Sequence, residues 1–168
     1  MSPRQDIPNP LTQQPKVHCY GNSAALCAEC LTATPSNKDL PTINLDVAPV
    51  ITPLQGQSQQ GKKVNWDQKI TIQLNESELI AVAALLLGYI TRIHLKRPGK
   101  GIELERQSGC VFVKASAGKG RNYPLPLTSG GCFKLSCLIL SQLQSYLNLD
   151  QGLLLASIRG AALLHKSS

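Results

Sequence analysis

The residues of this 168-residue chain best suited to hold a metal or exchange electrons are its six cysteines and three histidines. They are densest in H-C-Y-G-N-S-A-A-L-C-A-E-C, His18 to Cys30, where Cys27 and Cys30 have C-x-x-C spacing and Cys19 adjoins His18. For one ion to be shared, both cysteines of the pair must reach it. The surrounding A-A-L-C-A-E-C-L reads as a strand, and strand residues three apart point to opposite faces. Redox chemistry would instead need the pair at the start of a helix, where the dipole lowers a thiol pKa. No helix-start signal follows Gly21-Asn22. No second C-x-x-C exists, Cys132 and Cys137 fall inside a helical stretch, and His94 and His165 lie far from His18. The expectation is structural thiols, with no metal and no cofactor. Catalytic constellations are missing too. Neither paired carboxylates nor a Ser-His-Asp set stands out, and A-G-K-G at Ala117–Gly120 lacks the upstream glycine and following Ser/Thr of a P-loop. A non-enzymatic protein is expected.

A second kind of chemistry is electrostatic. Net charge is +7, and the excess is uneven. Arg92, Lys96, Arg97, Lys100, Arg106, Lys114, Lys119 and Arg121 face only Glu103 and Glu105 over the same stretch. In R-I-H-L-K, burying Ile93 and Leu95 turns Arg92, His94 and Lys96 to one outer face; in C-V-F-V-K, burying Val111 and Val113 turns Phe112 and Lys114 outward. Cations with an aromatic ring on an open sheet suit a single strand, whose bases stack on rings while phosphates meet cations. The candidate nucleic-acid contacts are therefore Lys69, Arg92, His94, Lys96, Arg97, Lys100, Lys114, Lys119 and Arg121, with Phe112, Tyr123 and Trp66 as stacking rings. The bland alternative is a solvated lysine-rich face with Phe112 packed against a helix.

The elements that must position these residues follow from periodicity and caps. Residues 1–15 hold Pro3, Pro8, Pro10 and Pro15 among polar residues and read as a flexible arm. K-V-H-C-Y, the A-A-L-C-A-E-C-L run and T-I-N-L-D-V-A-P-V-I read as strands, the last with Ile43, Leu45 and Val47 alternating with polar residues. Gln55–Lys63 is a polar loop. I-T-I-Q-L is another strand; Asn75 then caps a helix with Glu78 at the capping-box position, and Gly88 stops it. Four short strands follow (T-R-I-H-L-K-R, G-I-E-L-E-R, C-V-F-V-K-A-S and R-N-Y-P-L-P-L), separated by glycine-bearing turns. A second helix, capped at Thr128 or Ser129, carries Leu135, Leu138, Ile139, Leu143 and Leu147 on one stripe. Residues 150–168 form a further helix, about Leu153 to Leu164, or a tail. The order is strands, helix, strands, helix: an α+β fold of two antiparallel meanders each followed by a helix, with a weak internal repeat. The apolar run Leu79 to Ile90 is far short of the about 20 residues of a membrane span, and Met1–Leu11 has no signal-peptide core.

Several of these stretches resemble the Whirly family of single-stranded DNA-binding proteins. Y-G-N-S-A-A-L is similar to that family's K-G-K-A-A-L hallmark at Ala24, Ala25 and Leu26, with Ser23 where the second lysine would stand. W-D-Q-K-I-T-I-Q-L-N-E-S-E-L-I-A-V resembles the segment where a tryptophan-acid pair leads into a strand and a Glu-containing helix. The likeness runs from about Lys16 to Leu149, one domain of residues 16–149, and extends to positive-cofactor-type coactivators and mitochondrial guide-RNA-binding proteins. It implies a sequence-tolerant single-stranded DNA-binding protein acting in DNA maintenance, recombination or transfer, or transcription, and working as a homotetramer. RNA binding on the same fold and a non-catalytic protein-interaction module are the alternatives. Helices apolar beyond one stripe, at Leu85–Leu87 and Leu138–Leu140, point to subunit contacts on their own account. A cytoplasmic setting is expected, nucleoid-associated if bacterial, with an organellar one left open and no membrane partner.

Overall fold

The computed structural model describes residues 14–31, 42–52, 62–118 and 120–165. The proline-rich arm up to residue 13, most of the polar loop before Lys63, and Lys119 lie outside them.

The first sheet is antiparallel. β1 (Lys16–Tyr20) pairs with β2 (Ala24–Leu31), which pairs with β3 (Thr42–Ile51); the far edge of β3 takes β4 (Lys63–Val64) and then β5 (Ile70–Gln73). Between β4 and β5 the chain bulges into a single 3-10 turn, Trp66–Gln68. The register aligns His18 with Cys27, Cys27 with Asp46, and Asp46 with Thr71. Cys27 therefore sits in an outward row while Cys30, in register with Ile43, sits in an inward one, as alternation requires. All six cysteines are free thiols. No group of three or more metal-ligating side chains comes together among the described residues.

α1 (Glu76–Leu86) follows β5 directly. Asn75 accepts from the Glu78 N–H at 2.9 Å while Glu78 accepts from the Asn75 N–H at 3.0 Å, the reciprocal capping box. The helix ends at Leu87, with Gly88 at φ 87°, a conformation a side chain would strain. Arg106 from the second sheet closes that end by donating to the Leu85 and Leu86 carbonyls, both at 3.0 Å.

The second sheet is a four-stranded antiparallel meander: β6 (Arg92–Arg97), β7 (Lys100–Gln107), β8 (Cys110–Ala117) and β9 (Arg121–Leu127). Its inner face buries Ile93, Leu95, Ile102, Leu104, Val111, Val113, Ala115, Tyr123, Leu125 and Leu127. These join Leu26, Leu45, Val47, Ile70 and Ile72 of the first sheet in one continuous core. Gly21 marks a close approach of the first sheet to β9, since a Cβ there would stand 2.5 Å from the Leu125 Cδ1.

α2 (Ser129–Leu147) starts at Thr128, whose hydroxyl accepts from the Gly131 N–H, and buries Leu135, Leu138, Ile139 and Leu143. Leu147, expected on the same stripe, is exposed. α3 (Gln151–His165) buries Leu154, Ile158 and Ala162 and packs on α1 and α2. This changes the reading of α1. Its all-round apolar character needs no partner subunit, because the sheets cover one side and α2 and α3 the other. Among the described residues no helix is long and apolar enough to cross a membrane.

Candidate nucleic-acid interface

Alternation along the second sheet gathers its outward side chains into cross-strand rows. Arg92, Glu105, Phe112 and Pro126 form one; His94, Glu103, Lys114 and Pro124 the next; Lys96, Gly101, Ser116 and Asn122 the third. The face expected from the sequence is thus present, with Phe112 half-buried on it and His94, Lys96 and Lys114 exposed. In the third row Gly101 has no side chain, and a depression of about 380 Å³ opens there, bounded by His94, Lys96, Lys100, Lys114 and Ser116 among others. A second, of about 480 Å³, lies at the junction of the sheets between Trp66, Lys69, Lys100 and Arg121. Both are lined by Lys100 and Ala117, so they adjoin.

The cations divide by partner. Arg92 donates to Glu105 at 2.5 Å and lies 3.5 Å from Glu103; the Glu105 carboxylate holds its pKa above the ordinary arginine value. Lys69 bonds Asp46 at 2.8 Å, an acid that also accepts from Thr71 at 2.6 Å, and this bond raises the lysine pKa. His94 lies 3.8 Å from Glu103. By contrast Lys96, Lys100, Lys114 and Arg121 have no salt bridge among the described residues, although all four border the two depressions. Polyanion attraction is strongest at such unneutralised charges.

Two of the expected contacts are revised. Arg97 points to the inner side of its strand end and donates to both Glu78 oxygens, at 2.8 and 2.7 Å, and to the Gln73 and Lys96 carbonyls. Its guanidinium joins β6 to the start of α1, so its charge is already matched, unlike those of Lys96, Lys100, Lys114 and Arg121. Tyr123 is only 7% exposed, and its hydroxyl donates to the Gln68 carbonyl at 3.0 Å. A ring so enclosed cannot stack on a base. Lys119 lies outside the described residues.

Sequence reasoning missed two rings. His18 and Tyr20 stand on the outer face of the first sheet, near Trp66, and Tyr20 is 68% exposed. The signal was available: in K-V-H-C-Y, burying Cys19 turns both rings outward. Four of the six thiols are set against reactivity by their burial. Burial raises the pKa of Cys19, Cys27, Cys30 and Cys132, which leaves them protonated and unreactive at neutral pH.

No family model matches the chain, and no curated protein matches it in sequence. Its fold, however, is shared with solved structures. WHY1 from Arabidopsis thaliana is 19% identical with a TM-score of 0.61, over 92% of this chain and 96% of that one. The plant transcriptional regulator PBF-2 is 15% identical with a TM-score of 0.60, over 80% and 83%. A guide-RNA-binding protein complex, solved with its guide RNA, is 8% identical with a TM-score of 0.60, over 80% and 92%. The Whirly-like α+β fold that the sequence motifs pointed to is the fold found.

Proposed function

We propose that this protein binds single-stranded nucleic acid, DNA foremost, without demanding a particular sequence and without catalysis. The observation that carries the reading is the set of four cations with no salt bridge among the described residues, Lys96, Lys100, Lys114 and Arg121, around two adjoining depressions beside half-buried Phe112 and Trp66. Phosphates bound by side-chain cations carry no base identity, so tolerance of sequence follows. The resemblance of the sequence motifs to the Whirly family favours DNA, and the likeness to a plant transcriptional regulator favours a role in transcription; DNA maintenance, recombination or transfer, in the cytoplasm or an organelle, is proposed beside it. The likeness to a guide-RNA complex makes RNA the second reading. The test is binding of labelled oligonucleotides across a salt series. Single strands should bind more tightly than duplex of equal length, with log K falling linearly in log salt. Phe112→Ala should weaken single-strand binding by about 1–3 kcal/mol with the salt slope nearly intact. Equal affinity for duplex would move the ligand off this face.

The active form is proposed as a homo-oligomer, a tetramer favoured. Support comes from apolar side chains that the chain leaves uncovered on its helices: Phe133 on α2 is 70% exposed, and Leu153 and Leu164 on α3 are 52% and 77% exposed. Phe133 also borders a depression of about 620 Å³ with Leu86, Leu87, Cys137 and Leu140. Light scattering should return a multiple of 18.1 kDa, and Phe133→Asp should lower it. A monomer at micromolar concentration would refute the assembly.

A further inference from the structure

The first sheet carries an aromatic cluster that the cationic face does not account for. His18 and Tyr20, two apart on β1, have ring centroids 5.9 Å apart and planes 6° from parallel. Trp66 approaches from the 3-10 turn, its centroid 5.9 Å from that of His18 and its plane at 74°. The cross-strand neighbours on this face are Ala25 beside Tyr20 and Cys27 beside His18, with Ala48 next to Ala25. None is long enough to cover a ring, and a cluster of one exposed and two half-buried rings on an open sheet face suits a contact surface.

The mount is rigid. The turn that holds Trp66 is anchored to β3 by the Asn65 N–H on the Pro49 carbonyl at 2.9 Å, and to β9 by the Tyr123 hydroxyl on Gln68. Its own turn is closed by the Lys69 N–H on the Trp66 carbonyl at 3.2 Å. A ring fixed in advance loses little entropy when a ligand stacks on it.

The surroundings say what that ligand is. At one end Trp66 borders the junction depression with Lys100 and Arg121. At the other, His18 and Tyr20 border a cavity of about 200 Å³ with Pro126 and Lys134. An uncharged aliphatic ligand would gain nothing from cations at both ends of a row of flat rings. A chain of flat unpaired bases on a polyanionic backbone matches both features.

We propose that His18, Tyr20 and Trp66 form a base-stacking site for single-stranded nucleic acid, which carries the bound strand from the cationic face of the second sheet onto the first. This deepens the function proposed above and rests on it. Bases lie against Tyr20 and Trp66, while the backbone runs between Lys100 and Arg121 on one side and Lys134 on the other.

Trp66 is the protein's one tryptophan, so its fluorescence reports stacking directly. The probes are oligothymidylate and an abasic oligonucleotide of the same length and charge. Oligothymidylate should quench Trp66; the abasic strand should bind through phosphates and leave the emission nearly unchanged. Tyr20→Ala and His18→Ala should each lose about 5- to 150-fold in affinity for oligothymidylate and none for the abasic strand. Tyr20→Phe, which keeps the ring, should bind as the unaltered protein does. Thermal melts of the same variants check that the fold is intact. If neither strand binds the unaltered protein, the functional reading itself falls. If both bind, and the alanine variants bind oligothymidylate as before with Trp66 still quenched, the stacking site is refuted while the cationic track stands. Equal losses for both strands would also refute stacking.

Discussion

Replacing Lys96, Lys100, Lys114 and Arg121 together by alanine should strongly flatten the salt dependence of single-strand binding. Each phosphate contact on a single strand contributes about 0.7 to the slope of log K against log salt, so four remove about 2.8. Between 50 and 200 mM salt, the unaltered protein should then lose about fifty-fold more affinity than the variant. The fold should tolerate the change, because all four side chains are exposed and none makes a salt bridge among the described residues. Exposed substitutions of this kind cost within about 0.5 kcal/mol each. Arg159→Ala, exposed on α3 and away from both depressions, should leave the slope as it is. A quadruple variant that keeps the original slope would show that phosphates are met elsewhere.

The division into paired and unpaired cations was only partly legible in the sequence. Alternation is local, and it placed Arg92, His94, Lys96 and Lys114 on the outer face, where they stand. The same alternation carries Arg97 to the side of Ile93 and Leu95, and Tyr123 to the side of Leu125 and Leu127. Charge and aromatic character drew both into the outward set against their own period. What settles them inside are the carboxylate of Glu78 and the carbonyl of Gln68, on other elements 19 and 55 residues away in the chain. No local pattern encodes such partners. The capping box was readable because Asn75 and Glu78 are three apart. The burial of α1 was not, because it depends on α3 folding back over it, a long-range contact.

The first sheet shows the opposite balance. Its opening cysteines draw the eye as metal ligands, yet strand geometry separates Cys27 from Cys30 and leaves each buried. The rings opposite Cys27 and Ala25 in register, half-buried His18 and exposed Tyr20, are the ones the fold leaves available. A motif's residue types therefore mattered less than the parity of their positions. That parity could be read once β1 was recognised as a strand, but Trp66 comes close only through the bulge between β4 and β5.

Arg97→Ala should be the most destabilising of the charge removals, and it should act on stability rather than binding. The guanidinium ties three elements together: the end of β5 through the Gln73 carbonyl, the first turn of α1 through both Glu78 oxygens, and its own strand through Lys96. Its side chain is 30% exposed and that of Glu78 19%, so solvent replaces these bonds poorly. A net cost of about 2–3 kcal/mol is expected, the range of a charge-assisted bond lost with its partner left half-buried. In a chain of this length that lowers Tm by about 4–12 °C. Lys96→Ala, one residue away but exposed, should shift it far less. The loss should also depend on pH. The bonds from Arg97, more than the Asn75 N–H, hold the Glu78 carboxyl below its usual range despite partial burial. A carboxyl depressed in the fold contributes stability that is full above its unfolded pKa of about 4.3 and is lost as pH falls through the lower folded value. The gap between the unaltered protein and Arg97→Ala should therefore be widest near neutrality and narrow in acid below that range. If the two melt alike at pH 7, the pair contributes nothing to holding β6 against α1, and Arg97 returns to the set of candidate phosphate ligands.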